Sequence, residues 1–166
     1  MTTVDEPVAD LFRREKPGLL RLAALLVGDT AQAEDVVQDA FVAVHRRWDH
    51  LDHTTAAGYL RVAVVNGSRT VHRARARLAR HLTRTTRDQD APAADTALLV
   101  AEEHREVLRA VRRLPRRQRE VLVLRYWSGL SEAEIAATLG VSRGTVKTSA
   151  SRALATLHRR LGAHRD

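Results

Sequence analysis

The stretch from Leu130 to Leu157, LSEAEIAATLGVSRGTVKTSASRALATL, constrains the chain most, because its turn chemistry and its periodicity both specify two short helices meeting at a corner. Ser131 and Glu134 have the spacing of a capping box, in which the serine oxygen takes one orphan backbone N–H and the glutamate reaches back to another. A helix is therefore expected to start at Ser131, with Ile135, Ala136 and Leu139 on its apolar face. Gly140 stands where the chain must leave through a left-handed residue, which only glycine adopts cheaply. Val141 should pack back into the corner. Ser142 can cap a second helix whose inward positions are Val146, Ala150, Ala153, Leu154, Leu157 and Leu161. Arg143, Lys147, Thr148, Ser151 and Arg152 remain outside, with Ser142 and Thr145 at the helix start.

That outer face is cationic and hydroxylated near the helix N-terminus, the end that a helix-turn-helix directs at base edges in the major groove. A helical hairpin with a merely solvated basic face is the alternative. The cap, the small Ala136, the turn glycine and the inward Val146 agree in register, which favours a recognition helix.

At 166 residues and 44% hydrophobic the chain can form one ordinary domain or two small ones. Aromatics make up only 4% while Ala and Leu abound, so helix-on-helix cores and an all-α fold are expected. The absence of cysteine excludes disulfides and thiolate metal sites and fits a reducing cytoplasm. The apolar run Leu19–Val27 contains Arg21 and is too short to span a bilayer, and no export signal is expected. The net charge of +8 is distributed in blocks. Residues 1–55 carry six basic and ten acidic side chains, 56–87 eight arginines and no acid, 88–110 two basic and six acidic, and 111–166 twelve basic and four acidic. Two basic segments separated by an acidic one suggest two phosphate-binding surfaces.

Along the chain, Asp5, Glu6 and Pro7 suit a helix start. Leu11, Leu19, Leu22, Ala23 and Leu26 supply its apolar positions, Pro17 should kink or split it, and Gly28 ends it. Asp29 or Thr30 can cap a second helix running to about His50, with Val36, Val37, Ala40, Phe41, Val44 and Trp48 on one stripe. Its other face shows Glu34, Asp35, Gln38 and Asp39, either solvated or a partner surface. Residues 51–58 should be a loop, and a long helix follows with Leu60, Ala63, Val64, Gly67 and Val71 inward. Arg69, Arg73, Arg77, Arg80 and Arg84 recur at intervals of three and four and so share one face. Like charges at that spacing repel, and a duplex backbone alongside would offset the cost through counterion release. A solvated basic helix is the alternative. Tyr59 and Trp48 could stack on unpaired bases or serve the core.

DQDAPAAD, residues 88–95, has the composition of a linker. A helix from about Thr96 to Arg113 should bury Val107, Leu108 and Val111, and Leu114-Pro115 should break it. Pro115 then opens a helix that holds Val121, Leu122, Leu124 and Tyr126 and shows Arg116, Arg117 and Arg119 near its start, where phosphate is favoured. Ser128-Gly129 ends it, Gly162 closes the last helix, and the final HRD should fray.

No enzyme constellation is present: there is no glycine-rich loop before a lysine, no nucleophile elbow and no second acidic cluster to complete a two-metal site with the acids at 34, 35 and 39. His45, His50 and His53 surround a loop and are expected to be surface residues rather than metal ligands. Neither a metal nor a cofactor is expected.

Together these residues resemble the extracytoplasmic-function sigma factors of bacterial RNA polymerase, particularly the short actinobacterial type. In the first half the resemblance rests on Gly28-Asp29, Ala33-Glu34-Asp35, Gln38, Phe41, Trp48, Tyr59-Leu60 and Asn66. In the second it rests on Leu114-Pro115, Gln118-Arg119-Glu120, Leu124-Arg125-Tyr126, Leu130-Ser131, Glu134-Ile135-Ala136, Leu139-Gly140, Gly144-Thr145-Val146-Lys147 and Ser151-Arg152-Ala153.

The resemblance implies two small helical domains: sigma region two over residues 1–87 and region four over 96–166, joined by a flexible linker at 88–95. It implies a non-enzymatic initiation factor that joins core RNA polymerase in the cytoplasm and directs it to promoter DNA. Asp35, Gln38, Asp39 and Phe41 would meet the clamp helices of the largest polymerase subunit, and region four the flap of the second largest. Tyr59, Asn66, Arg69, Arg73 and Arg77 would hold and open the minus-ten element, and the loop 51–58 would capture a flipped-out base. Ser142, Arg143, Thr145, Lys147, Thr148, Ser151 and Arg152 would read the minus-thirty-five element, with Arg116, Arg117 and Arg119 on nearby DNA. The acidic linker would thread toward the active cleft and the RNA exit path. After Asn66 the stretch 67–72 lacks the aromatic and acidic residues many relatives carry. No appended C-terminal domain is expected, which leaves room for an anti-sigma partner. The rival readings are a free-standing helix-turn-helix regulator, which has no use for the first half, and a nucleic-acid-processing enzyme, which would need the missing acids.

Overall fold

Seven α-helices and two 3-10 turns, with no strand among them, make up the described residues of the computed structural model, 5–82 and 105–162. The all-α architecture follows from a chain rich in Ala and Leu, whose apolar positions recur at helical spacing. The helices divide into two compact units. The linker expected at 88–95, Arg84, the start of the helix expected from Thr96 and the terminal HRD lie outside the described residues.

In the first unit α1 (Asp5–Val27), α2 (Thr30–His45) and α3 (Ala56–Leu82) each pack on the other two. Helix α1 runs through Pro17 unsplit. Pro17 and Gly18 are exposed, so the carbonyl that loses its bond to the missing proline N–H lies on a side open to solvent. Farther along, every residue from Leu22 to Val27 is buried, because this end of α1 touches both partners. Gly28 then leaves the helix at φ 79°, and Asp29 caps α2 by accepting the Gln32 N–H at 2.8 Å.

Helix α2 stops at His45, five residues short of the expected end. The chain turns at Arg46 and Arg47 and tightens into a 3-10 turn, Trp48–His50, that carries the Trp48 ring into the core. A second 3-10 turn, His53–Thr55, occupies part of the expected loop, and α3 begins at Ala56, inside it. All six predicted stripe residues of α2 and its flank are buried: Val36, Val37, Ala40, Phe41, Val44 and Trp48. They pack with Leu60, Val64 and Val65 of α3, each fully buried and each stabilising by about 1.5–3 kcal/mol relative to exposure.

The carbonyls at the end of α1 are satisfied by α3. His72 Nε2 donates to the Leu26 oxygen at 2.7 Å, and Arg75 Nη1 donates to the Val27 oxygen at 2.7 Å while its other nitrogen bonds Gln32 Oε1.

The second unit contains α4 (Arg105–Arg112), α5 (Arg116–Tyr126), α6 (Glu132–Leu139) and α7 (Arg143–Gly162), with α7 touching the other three. Leu114-Pro115 separates α4 from α5 as the proline rule predicts. Helix α5 buries Val121 through Leu124, whereas Tyr126 at its end is exposed. Val107 and Leu154, also expected inside, are exposed as well. All three sit at a margin of a buried stripe or at a helix end, where no neighbouring helix among the described residues covers them. At the end of α4 the Arg112 oxygen accepts from Arg119 Nη1 at 2.7 Å, and the Ala110 oxygen from Arg160 Nη1 at 3.4 Å.

Candidate nucleic-acid interface

The corner before α7 is built as its residues require. Ser131 Oγ accepts the Glu134 N–H at 3.2 Å, and Glu134 Oε2 accepts the Ser131 N–H at 2.8 Å, completing the capping box. Gly140 takes the left-handed conformation at φ 65°, and the Val141 N–H folds back onto the Ala136 carbonyl at 3.0 Å. Ser142 Oγ then caps α7, accepting the Thr145 N–H at 3.1 Å and lying 2.9 Å from the Thr145 hydroxyl.

Helix α7 is pinned by the buried side chains of Val146, Ala150, Ala153 and Leu157. Its outer face leaves Ser142, Arg143, Thr145, Lys147, Thr148, Ser151 and Arg152 exposed together. The face thus offers two guanidiniums, an ammonium and four hydroxyls, groups that donate to phosphates and to guanine or adenine edges. Lys147 is not isolated. Its Nζ lies 3.9 Å from Glu132 Oε2 on α6, and Glu132 Oε1 lies 3.4 Å from Arg125 Nη1 on α5. Sequence reading did not single out Glu132, because its two partners are seven and fifteen residues away and no local pattern links them.

The arginines at the start of α5 divide. Arg116 Nε and Arg117 Nη1 stand 3.9 and 3.5 Å from Glu120, which is only 2% exposed, so two half-open guanidiniums neutralise one buried carboxylate. Arg119, expected to face phosphate, is turned inward to the end of α4, where it satisfies the Arg112 carbonyl.

On α3, successive residues are about 100° apart, so Tyr59, Asn66, Arg69, Arg73, Arg77 and Arg80 fall within an arc of about 80°. Tyr59 is 52% exposed at one end of this face, and Asn66, Arg73 and Arg77 are exposed along it, with Arg69 half-buried. Arg73 is steadied by the Thr70 hydroxyl at 3.1 Å and Arg80 by the Ala76 carbonyl at 3.3 Å. Arg75 lies outside the arc and serves α1.

Trp48, one of the two aromatics offered for base stacking, is not available. It is buried and its ring lies 4.1 Å from that of His53 at an interplanar angle of 13°. His53 Nε2 also sits 3.1 Å from the Trp48 carbonyl, so both the ring face and this nitrogen are turned to Trp48. Asp52 caps the second 3-10 turn, accepting the Thr54 hydroxyl at 2.6 Å and the Thr54 N–H at 2.9 Å. The hydroxyl bond, the backbone bond and the nearby His53 together hold the Asp52 carboxyl below its ordinary range.

The acidic face of α2 is as expected: Glu34, Asp35, Gln38 and Asp39 are all exposed. Phe41, grouped with them as a contact residue, is 6% exposed and packs edge-on against Phe12 at 4.7 Å between ring centroids. Gln38 and Phe41 are neighbours about 60° apart around α2, and the boundary between the exposed face and the buried stripe falls between them. Among the described residues no helix is long and apolar enough to cross a membrane.

Comparison with known proteins places relatives beside this geometry. The sigma-70 region 2 family matches residues 11–78, and the sigma-70, region 4 family matches residues 104–157. The RNA polymerase sigma-E factor of Streptomyces avermitilis is 38% identical over 158 residues, covering 92% of this chain and 83% of that protein. The ECF RNA polymerase sigma factor SigM of Mycobacterium tuberculosis is 38% identical over 154 residues, covering 92% of this chain and 76% of its own length. Among solved structures, the sigma factor RpoE, co-crystallised with the anti-sigma factor NepR from Bartonella quintana, aligns with a TM-score of 0.75 over 93% of this chain and 96% of that one. At 23% identity that likeness is one of fold.

Proposed function

Because this chain belongs to the extracytoplasmic-function class of sigma-70 RNA polymerase sigma factors, we propose that its three exposed polar faces divide the work of transcription initiation. The chain binds core RNA polymerase and directs promoter-specific initiation. In the assignment proposed, residues 1–87 form region two, 88–95 the linker and 96–166 region four. Asp35, Gln38 and Asp39 meet the polymerase clamp, where an acidic helix face suits a basic partner. Tyr59, Asn66, Arg69, Arg73 and Arg77 lie along the minus-ten element, with the loop carrying Asp52 and His53 beside an opened base. Ser142, Arg143, Thr145, Lys147, Thr148, Ser151 and Arg152 read the minus-thirty-five element, and Arg116 and Arg117 touch the backbone nearby.

The observation that carries this reading is the segregation of charge within the first unit. Helix α2 exposes a carboxylate face while the following α3 exposes a one-sided row of arginines, and a free-standing regulator would leave both unexplained. The factor contributes no catalytic group of its own, works where the polymerase works, in the cytoplasm, and is open to control by an anti-sigma protein, as the co-crystallised RpoE is. The test is to mix the purified protein with core RNA polymerase lacking any sigma factor, at a salt concentration that screens nonspecific attraction. Stoichiometric co-migration and promoter-dependent transcripts are expected. A protein that binds duplex by itself as a dimer and ignores the polymerase would refute the assignment.

A further inference from the structure

Among the described residues, Glu132 reaches the cationic face of α7 with its carboxylate and bridges two cations from different helices. Its Oε1 lies 3.4 Å from Arg125 Nη1 on α5, and its Oε2 lies 3.9 Å from Lys147 Nζ on α7. The Glu132 side chain is 23% exposed and that of Lys147 66%, so the carboxylate is the fixed member and the ammonium the mobile one. Three features fix it. Glu132 is the first residue of α6, directly after the Ser131 cap; the helix N-terminus favours its charge; and Arg125 holds its other oxygen. As a contribution to stability such a bridge is small, because exposed ion pairs contribute little in water. Its position gives it a different use.

We propose that Glu132 is a positioning residue for DNA readout, holding the Lys147 ammonium over the α7 face and away from indiscriminate phosphate contact. This inference rests on the reading of α7 as the helix that meets the duplex. Lysine carries its charge on a flexible stem with several rotatable bonds and will follow whichever anion is nearest. Against a nonspecific duplex that anion is a phosphate, and nothing in such a contact depends on sequence. The Glu132 carboxylate competes with phosphate for Lys147 and repels phosphate from its own position. Nonspecific engagement therefore loses a contact that a cognate base acceptor, approached from the outer face of α7, can recover. The bridge lowers affinity for all DNA in order to sharpen preference.

The test uses the protein assembled with core RNA polymerase, on a cognate promoter fragment and on the same fragment with a scrambled minus-thirty-five element, across a salt titration. Glu132→Gln keeps size and the Ser131 cap while removing the charge. It is expected to tighten binding to the scrambled fragment, to steepen its salt dependence by about one phosphate contact, and to reduce preference for the cognate fragment by about two- to fivefold. Glu132→Asp keeps the charge and withdraws the reach, and is expected to lose preference with little change in salt slope. Lys147→Ala is expected to abolish the difference between Glu132 and its variants. Equal tightening on both fragments would show that Glu132 acts through net charge alone and would overturn the positioning role. If Arg143→Ala and Lys147→Ala also left cognate preference intact, the assignment of α7 itself would fail. If they reduced it while Glu132→Gln did not, only the present inference would.

Discussion

Gly67 lies so close to Val36 that a Cβ added to it would sit 2.9 Å from Val36 Cγ1, inside any ordinary carbon–carbon contact. Helices α2 and α3 meet here, and Val36 is buried and β-branched, with little rotamer freedom to yield. Replacing Gly67 by Val should therefore cost about 1–3 kcal/mol of overpacking. Gly67→Ala alone should cost less, because alanine gains about 1 kcal/mol of helix propensity. In a Val36→Ala background the clash disappears and Gly67→Ala should become stabilising. Urea unfolding of the four corners of this cycle measures the coupling; additive values would show that α3 has room to move away.

The faces on α2 and α7 should separate in a substitution experiment. Arg143→Ala or Lys147→Ala should weaken promoter-specific binding, by about 1–3 kcal/mol where a base contact is lost, and leave polymerase association intact. Asp35→Ala or Gln38→Ala should weaken polymerase association and leave the intrinsic DNA affinity of the α7 face unchanged. Polymerase pull-down beside promoter binding distinguishes them, and four variants behaving alike would rule out separate surfaces.

The arginine row on α3 makes a prediction about salt. Arg73 and Arg77 are exposed on the arc shared with Tyr59 and Asn66. If each neutralises one phosphate, either alanine variant should reduce the slope of log affinity against log salt by about one, for any promoter sequence. Binding of the polymerase-assembled protein to two promoters of different sequence would check both parts.

Asp52 should titrate below the ordinary carboxylate range because the Thr54 hydroxyl and N–H bond its ionised form. Its folded-state value is lowered, so the capped turn is favoured above the unfolded-state carboxylate value and loses that support as pH falls through the folded one. Thr54→Val removes the hydroxyl, the larger cause, and should move the Asp52 titration up toward normal in carbon-detected NMR. An unchanged midpoint would mean that the backbone bond suffices.

Much of the fold was legible because its signals are local. The Ser131–Glu134 box, the left-handed Gly140, the helix stops at Gly28 and Gly129, the Asp29 cap and the Pro115 boundary each depend on residues within a turn of one another. The stripe of α2 was legible as well, since 3.6-residue periodicity reports the direction of a side chain. The end of α2 was not, because burying Trp48 beside His53 favoured a 3-10 turn over a continued helix, a choice made by the surrounding core. Leu154 and Tyr126 were misjudged for a related reason: periodicity gives an angle around a helix but not how far the neighbouring helix extends.

By itself, then, the amino-acid sequence determined most helix boundaries, though not the end of α2 or the start of α3, which sides are apolar, and that carboxylates collect on α2 while cations collect on α3 and α7. The tertiary structure decided what each charge is engaged in. Arg75 closes the end of α1 and Arg119 the end of α4, Arg116 and Arg117 flank the buried Glu120, and Lys147 is tethered through Glu132 to Arg125, while Arg73 and Arg77 stay exposed along α3. Many of these partners are too far apart in sequence for any local pattern to link them. A guanidinium satisfies whichever carbonyl or carboxylate the packing of helices brings within about 3–4 Å, and that packing is a property of the assembled core.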